Sequence, residues 1–389
     1  MLQLIQLMLA ENWNIYFTSA AQKSEFSANL VQLGVVEKEC QLNNSNFQRW
    51  VGDINPHIVI YDRFLTEEQF GWRVRESAPN SLQVLDTEDL HFLRKAREEA
   101  VKQGLQASQA YLYTELAKRE IGAMLRCDLN LMISEVETQL LQSKFNFLES
   151  QLFYLPFLVD SAMVKEDKPY AHRKNLVSIG NFLHAPNWDQ VRFLKTEIWP
   201  TLRKKLPGVE LHIYGAYTSE KVRQLHQPKE GFVVKGRATD LNKTLESYRL
   251  LLAPLRFGAG LKGKILDAFV NGTPVITSAI GAEGMTSKQL SWPGVIEDKP
   301  QAFVEQTALI YQDQEKWQEV SKRCRLLLEQ KFEVSNYAKS FIHRLGFLHE
   351  NVKLHREQHF ISQVFSQHQL NAQKFMSLWI EEKNKFTRK

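Results

Sequence analysis

Short apolar runs alternate with segments of helical periodicity along most of the chain. Each run has the length of a buried strand, and apolar residues recur every three or four positions in the segments between the runs. In the first half the predicted strands are 14–19, 34–39, 57–62, 82–87 and 129–134. Helical segments are predicted at 22–33, 66–77 and 90–125, the last as one long helix or as two helices separated by a break at Gly104. This order predicts a parallel sheet with helices on both faces.

The same alternation restarts after a polar, non-periodic stretch at 160–174. The predicted strands of the second half are 175–180, 209–215, 231–236, 249–255, 273–278 and 294–298, with helices over 187–205, 218–226, 240–247 and 262–271. The predicted organisation is therefore a first domain at 1–159, a linker at 160–174, a second domain at 175–345 and a helical basic tail at 346–389. Two similar α/β halves predict a ligand cleft between them.

Composition places the chain among globular proteins with room for two domains. It has 389 residues, of which 43% are hydrophobic and 24% charged. The net charge of +5 favours anionic ligands or surfaces and falls short of the basic surplus typical of nucleic-acid binding. Three scattered cysteines, Cys40, Cys127 and Cys324, predict free thiols in a reducing cytoplasm. No apolar run is long enough to span a bilayer, and the apolar start lacks the features of a signal peptide.

One segment, APLRFGAGLKGKILDAFVNGTPVITS at 253–278, combines many glycines with several cations. An apolar strand leads into the loop RFGAG, and a helical pattern follows with apolar residues on one face. Gly272 stands where glycine ends helices, and Pro274 prevents their continuation. The segment is therefore predicted to be a strand, a glycine loop, a helix, a tight turn and a second strand.

This glycine loop has the chemistry of a phosphate cradle. A helix N-terminus offers unpaired N–H groups and a partial positive charge, and glycines let an anion approach the backbone closely. Arg256, Lys262 and Lys264 add full positive charges, and Asp267 can accept hydrogen bonds from ribose hydroxyls. The residues alone leave solvated cations beside an ordinary loop as the alternative. The P-loop pattern and the first-strand GxGxxG pattern are both absent here.

The segment from 253 to 285 resembles the donor-binding region of group 1 (family 4) glycosyltransferases, and IGNFLHAPNWDQVRFLKTEIWP at 179–200 resembles the opening of the same family's C-terminal domain. The resemblance implies the α/β GT-B fold, in which two Rossmann-like domains face a cleft. It also implies a retaining, metal-independent, hexosyltransferase-type transfer from a nucleotide-diphosphate sugar, with no further cofactor. The donor-binding residues it implies are Gly180, Gly236, Arg237, Arg256, Gly258, Ala259, Gly260, Lys262, Lys264, Asp267 and Glu283.

The chain departs from the family pattern at one donor position. Members often carry two glutamates separated by seven residues, and these fall here on Ala259 and Asp267. Ala259 removes the usual contact to the donor sugar, whereas Asp267 can still hold ribose. No DxD triplet occurs in the sequence, which fits metal independence. Positive charge from Arg256, Lys262 and Lys264 would then stabilise the departing diphosphate.

Polar residues in the first domain follow two predicted strands. Asp86, Glu88, Asp89, His91, Arg94 and Arg97 come at or after the strand 82–87, and Asp62 and Arg63 end the strand 57–62. Open α/β sheets bind ligands at these carboxyl ends. The stretch 85–97 resembles the family's acidic-histidine segment, and the resemblance implies that His91, Asp89 and Lys262 are the catalytic residues. The expected acceptor side is formed by Asp62, Arg63, Glu88 and His91. The alternatives are structural: a histidine at a helix start, a plain turn at Gly236 and Arg237, and a helix cap at Glu283.

A GT-B first domain normally opens with a strand and a glycine-rich loop before its first helix. This sequence opens directly in a helical pattern, so the first strand is expected to be missing. Either the true start lies upstream, or the protein lacks the strand and the acceptor side of its cleft is incomplete.

The expected function is a glycosyltransferase of polysaccharide, glycolipid or glycoprotein biosynthesis, working in the cytoplasm at the inner face of a membrane. Its expected partners are the nucleotide-sugar donor and a glycan- or lipid-linked acceptor. Nucleic acid is not among them. The basic tail is expected to be an ordinary solvated helix, with contact to a membrane surface or a partner as the alternative. The alternatives are a noncatalytic nucleotide-sugar-binding scaffold and a nucleotide-sugar 2-epimerase, although the acid and base set of an epimerase is not identifiable.

Overall fold

The computed structural model describes residues 1–160, 164, 168–286 and 290–387. Part of the predicted linker, 161–163 and 165–167, lies outside the described residues, as do the last two residues of the basic end. The strands of the first half are β1 (Tyr16–Ser19), β2 (Val36–Glu39), β3 (Ile58–Asp62), β4 (Leu82–Asp86), β5 (Leu129–Met132) and β6 (Leu152–Tyr154). The helices there are α1 (Leu2–Ala10), α2 (Ser45–Ile54), α3 (Arg63–Ser77), α4 (His91–Lys102), α5 (Glu115–Arg126) and α6 (Glu135–Phe145).

The first sheet contains β3, β4, β5 and β6 in that order, and all of its strands are parallel. Strands β1 and β2 pair only with each other. Residues of β4 are buried on both faces because helices cover the sheet from both sides. The break predicted at Gly104 is confirmed, since α4 ends at Lys102 and Gly104 adopts a φ of +78°.

Two local predictions for the first half were wrong. The segment 22–33 is not a helix: it forms turns and one 3₁₀ turn at Val31–Leu33. Its polar side chains bind the backbone directly, because the Ser24 N–H donates to Ser27 Oγ and the Phe26 N–H donates to Ser24 Oγ. The short strand β6 was also missed, since three residues carry no readable periodicity.

The second half forms a six-stranded parallel sheet. Its strands are β7 (Lys174–Ile179), β8 (Leu211–Tyr214), β9 (Phe232–Gly236), β10 (Tyr248–Ala253), β11 (Val275–Thr277) and β12 (Val295–Ile296). They lie in the order β9–β8–β7–β10–β11–β12, so the order reverses between β7 and β10. This is the doubly wound arrangement, in which ligands bind at the reversal point. The two sheets confirm the predicted architecture of paired Rossmann-like units.

Helices surround the second sheet. They are α7 (Ala185–Phe193), α8 (Trp199–Lys205), α9 (Glu220–Arg223), α10 (Leu241–Leu245), α11 (Gly263–Val270), α12 (Ala279–Ala282), α13 (Pro300–Gln312) and α14 (Gln314–Leu327). Segments of π-helix at Leu194–Ile198 and Leu328–Phe332 connect α7 to α8 and extend α14. Further 3₁₀ turns lie at Ala107–Gln109, Glu149–Gln151, Tyr170–His172, Pro228–Glu230 and Val334–Asn336.

The last three helices return to the first sheet. They are α15 (Ala338–Glu350), α16 (Val352–Gln358) and α17 (Phe360–Thr387). Phe341 and Leu345 of α15 are fully buried in the core that β4 and β5 share with α1, and α17 contacts α3 and α5. The chain therefore crosses between the two halves twice, and the boundary predicted at residue 345 stays a prediction. In the described part of the chain, no helix is both long and apolar enough to cross a membrane.

Candidate functional site

A cleft of about 540 Å³ lies between the carboxyl ends of the two sheets. The loops after β4 and β5 line one side with Glu88, Asp89 and Ile133, and Arg94 of α4 joins them. The other side comes from the loops after β7, β8, β9 and β10, around the point where the strand order reverses. Those loops contribute Gly180, Asn181, His184, Asn187, Tyr214, Gly215, Arg237, Phe257, Gly258, Ala259, Lys262, Gly263, Lys264 and Asp267. The cleft therefore occupies the position at which doubly wound folds bind ligands.

The predicted strand, glycine loop and helix form as expected. Lys262 takes the N-cap position of α11, which begins at Gly263, and the apolar face of α11 packs into the core. The helix ends at Val270, and Gly272 follows with a φ of +60°, a conformation that glycine adopts without strain. The first turn of α11 therefore opens into the cleft, with its N–H groups and its partial positive charge.

Lys262 and Lys264 lie at the N-cap and in the first turn of α11, and among the described residues their hydrogen bonds go to neutral oxygen atoms only. The Lys262 ammonium donates to the backbone carbonyls of Ala259, at 3.2 Å, and Gly260. The Lys264 ammonium donates to Asn187 Oδ1 at 2.5 Å and to Gln190 Oε1 at 2.9 Å. Burial lowers the pKa of Lys262, and burial together with the neighbouring Lys262 charge lowers the pKa of Lys264 to about 7. An anion placed here would offset both charges.

Asp267 lies one turn further along α11 and also lines the cleft. Burial raises the pKa of its carboxyl group to about 6. None of the described residues donates a hydrogen bond to this carboxylate. A half-buried acceptor without a partner among the described residues is suited to a ligand that brings hydroxyl groups.

Gly180 directly follows β7, and a larger residue does not fit at this position. A Cβ atom there would lie 2.7 Å from Asn187 Cγ, and Asn187 in turn accepts the hydrogen bond from Lys264. The loop after β7 and the start of α11 are thus joined at the reversal point. Asn181, His184 and Asn187 were missed as site residues, although the stretch 179–200 that contains them follows the same strand, loop and helix order.

Two predicted donor residues do not reach the cleft. Arg256 pairs with Asp189 of α7, donating from Nε at 2.8 Å and from a second nitrogen, and its guanidinium lies 5.3 Å from the Phe193 ring centre. Glu283 pairs with Arg97 of the first half through two bonds of 2.7 and 2.9 Å. Both side chains form these ion pairs in the structure, and their predicted donor contacts stay predictions.

The glycine loop crosses to the first half of the chain. The Gly260 N–H donates to Glu137 at 2.5 Å, Arg97 donates to the Gly258 carbonyl at 2.8 Å, and Ala259 is buried in the core of the first half. Gly260 has a φ of +61°, and a Cβ atom there would lie 2.7 Å from Asp89 Cβ. Gly258 and Ala259 still line the cleft, whereas Gly260 serves the interface between the two halves.

Of the two residues predicted at the end of β9, Arg237 lines the cleft and Gly236 does not. Gly236 forms the turn with a φ of +77°. The Arg237 guanidinium lies 3.2 Å from the centre of the Phe26 ring, which belongs to the turn-rich segment of the first half. Phe26 and the loop around it therefore reach the edge of the cleft, which the sequence did not indicate.

The first half contributes a polar cluster beside the cleft. Asp89 pairs with Arg94 and lies 3.4 Å from His91 Nε2. His91 starts α4 just behind the lining residues, and burial lowers its pKa to about 4, so the ring is neutral near pH 7. Glu120 accepts the backbone N–H groups of His91 and Phe92, and burial raises its pKa to about 8. Asp89 and Glu88 reach the cleft directly, and His91 reaches it through Asp89.

The other predicted acceptor residues lie outside the cleft. Asp62 and Arg63 pair with each other at the surface, with a shortest distance of 3.0 Å, and Arg63 has a φ of +64°. Cys40, Cys127 and Cys324 form no disulfide bond with one another, as predicted. Across the described ranges, no group of three or more His, Cys, Asp or Glu side chains could hold a metal ion.

Residues 173–313 match the family model described as glycosyl transferases group 1. No curated protein matches the chain. Among solved structures, HepE of Anabaena with UDP-glucose is 14% identical and has a TM-score of 0.66, covering 89% of this chain and 95% of its own. Sucrose-phosphate synthase of Thermosynechococcus elongatus is 13% identical, with a TM-score of 0.65 and coverages of 90% and 92%.

A third similar structure is TarM of S. aureus in complex with fondaparinux, α-GlcNAc-glycerol and UDP. It is 13% identical with a TM-score of 0.59, and the match covers 77% of this chain and 58% of TarM. The chain thus spans under three fifths of that relative's length. Together these matches confirm the GT-B fold and the resemblance to group 1 glycosyltransferases.

Proposed function

We propose that this chain transfers a sugar from a nucleotide-diphosphate sugar to an acceptor. The premise is that residues 173–313 match the group 1 glycosyl transferase model and lie within a GT-B fold. The acceptor is a glycan, a lipid or a protein-linked group. The proposed reaction retains the anomeric configuration and uses no metal. The similar structures with UDP, UDP-glucose and α-GlcNAc-glycerol support a nucleotide-sugar donor and a glycan-type acceptor.

The pair of cations at the start of α11 carries the proposal. Lys262 and Lys264 lie in adjoining positions of one helical turn, and neither makes an ion pair with a described residue. Two partly desolvated ammonium groups at a helix N-terminus are suited to binding an anion. A diphosphate supplies two negative charges at the spacing of neighbouring side chains. The same charges would stabilise the diphosphate as it departs.

The rest of the cleft fits the other parts of a nucleotide-sugar. The unpartnered carboxylate of Asp267 would accept the ribose hydroxyls, and Arg237 lies at the end of β9 where the base would extend. On the opposite side, Asp89 and Glu88 would contact the transferred sugar or the acceptor, with His91 holding Asp89 in position. Closure of the two halves would exclude water and so favour transfer over hydrolysis.

The chain would work in the cytoplasm at the inner face of a membrane, in the synthesis of a polysaccharide, glycolipid or glycoprotein glycan. Acceptors of these classes are commonly lipid-linked, and the C-terminal region has the basic character that suits an anionic surface.

A double substitution tests the cation pair. Lys262→Ala with Lys264→Ala should abolish nucleoside-diphosphate binding measured by calorimetry, because both charges that face the diphosphate are removed. Lys204→Ala with Lys205→Ala is the matched control, since those lysines are exposed at the end of α8. Equal affinity of the wild type and the first variant would contradict the proposal.

A noncatalytic nucleotide-sugar-binding protein is the second candidate, and Ala259 favours it. This residue replaces the usual donor-sugar carboxylate and is packed into the core of the first half. The two functions differ in turnover: a transferase releases nucleoside diphosphate from at least one donor of a panel, whereas a binding protein shows thermal stabilisation by a donor and no release.

A further inference from the structure

The helix α17 buries polar side chains and exposes large apolar ones. It runs along the first half for 28 residues and contacts α3 and α5. Among its described side chains the fully buried ones are polar, namely Ser362, Ser366 and Ser377, while Leu378 and Ile380 are half-buried. Glu381 accepts hydrogen bonds from Ser45. A surface helix of a globular protein normally does the reverse and buries its apolar side.

Large apolar side chains of α17 point away from the protein. Phe375, Met376 and Trp379 are each more than 60% exposed. Phe360 and Ile361 are 67% exposed, and Val364 and Phe365 extend the same face. At 3.6 residues per turn, the seven side chains fall within about 160° of the helix circumference. We call this exposed set the α17 apolar face.

We propose that the α17 apolar face is a membrane-binding surface that inserts into a bilayer containing anionic lipid. The inference deepens the proposed membrane contact, and it does not depend on sugar transfer taking place. A helix of this kind lies in the plane of the interface with its aromatic side chains among the acyl chains. Tryptophan and phenylalanine are suited to that depth.

The charge near the end of α17 complements such a surface. Residues 374–389 contain five basic and two acidic residues. Lys374 pairs with Glu76, Lys385 pairs with Glu382 at 2.5 Å, and Glu381 is turned inward toward Arg73 and Ser45. Lys383 lies 5.1 Å from the Trp379 ring centre, so a cation stands beside the exposed indole. Basic side chains near the surface attract anionic headgroups, while their methylene stems pack on apolar neighbours.

The arrangement suits a lipid surface better than a second copy of the chain. The apolar residues form two groups, 360–365 and 375–379, about 15 Å apart along the helix axis, and the sequence between them is mostly polar. A homodimer interface needs one continuous apolar core with a matching shape. A fluid bilayer requires no such match, because lipids adapt to two separate anchors.

Vesicle co-sedimentation of the full chain tests the inference. The wild type should bind vesicles of phosphatidylcholine with one third phosphatidylglycerol, bind pure phosphatidylcholine vesicles more weakly, and lose binding as salt is added. The variant Phe375→Gln, Met376→Gln, Trp379→Gln should bind at least about tenfold more weakly. The matched control is Leu309→Gln with Leu326→Gln, which replaces exposed apolar helix residues of the second half and should leave binding unchanged.

Two results would overturn the inference. One is equal vesicle binding by the wild type and the triple variant, or no binding by either. The other is a concentration-dependent dimer in sedimentation velocity that the triple variant abolishes, without vesicle binding, which would identify a second copy as the occupant. Calorimetry with a nucleoside diphosphate tests the proposed function separately from membrane binding. The triple variant should bind the nucleotide with the affinity of the wild type. If neither protein bound the nucleotide, the proposed function would fail, but the vesicle result would still decide the membrane-binding inference.

Discussion

Donor binding should become weaker as the pH rises above 7, because Lys264 must be protonated to face a diphosphate. In the free protein burial and the Lys262 charge lower the pKa of Lys264 to about 7, from an ordinary value of 10.5. A bound diphosphate stabilises the ammonium form and moves the pKa back toward its ordinary value. Binding above pH 7 therefore takes up a proton.

The size of the effect follows from this linkage. If the bound pKa returns to its ordinary value, affinity falls about fiftyfold between pH 7 and pH 9, and by nearly tenfold, or about 1.4 kcal/mol, per unit at the upper end. A nucleotide-sugar is the suitable ligand because its diphosphate keeps a constant charge over this range. Burial lowers the pKa of Lys262 as well.

Calorimetry in buffers of different ionisation enthalpy measures both the affinity and the protons taken up. Near pH 8.5 Lys264 should account for close to one proton per bound donor. The variant Lys264→Met should bind more weakly at pH 7 and lose that part of the slope, whereas Lys205→Met should behave as the wild type. The reasoning would be refuted if affinity were constant from pH 7 to 9, or if Lys264→Met kept the full slope.

Three further substitutions probe the interface and the cleft. Glu283→Gln weakens the ion pair with Arg97, which is partly buried, and should lower the free energy of unfolding by about 1–3 kcal/mol in urea denaturation; an unchanged midpoint would contradict the role of the pair. Gly260→Ala combines a φ of +61° with a Cβ that would lie 2.7 Å from Asp89 Cβ, so it should lower thermal stability by about 1–3 kcal/mol, and wild-type stability would argue against the close approach. Asp267→Asn should weaken donor binding about tenfold at pH 7.5, and wild-type affinity should fall below pH 6 as the carboxylate, whose pKa is raised to about 6, becomes protonated; identical pH profiles would exclude its ribose contact.

The sheet architecture was predictable from the sequence because its signals are local. Buried parallel strands appear as continuous apolar runs. The helix α11 ends at Val270, and Gly272 and Pro274 follow this end by two and four residues. The segment 22–33 shows where prediction from local patterns fails. Its spacing resembles a helix, but hydroxyl groups such as Ser24 Oγ bind the nearby backbone and favour turns.

The candidate site was predictable where one segment carries it and not where distant segments meet. Lys262, Lys264 and Asp267 reach the cleft because the N-cap and the first two turns of one helix hold all three. Arg256 and Glu283 have the same charged character in the sequence, but their partners lie 67 and 186 positions away. Such pairings depend on tertiary structure, and no local sequence pattern predicts them. The α17 apolar face escapes prediction for the same reason, since periodicity shows that a face exists but not which way it points.

Turnover of a donor by the full chain bears most directly on the proposed sugar transfer. A panel of UDP- and GDP-sugars, with and without lipid- or glycan-linked acceptors, can be followed by proton NMR. The expected result is release of nucleoside diphosphate from one donor without added metal, with the anomeric configuration of the donor kept in the product. The rate should fall at least about tenfold in Lys262→Ala with Lys264→Ala. Binding of a donor with no release under any condition, or equal turnover by the double variant, would contradict the proposed transfer.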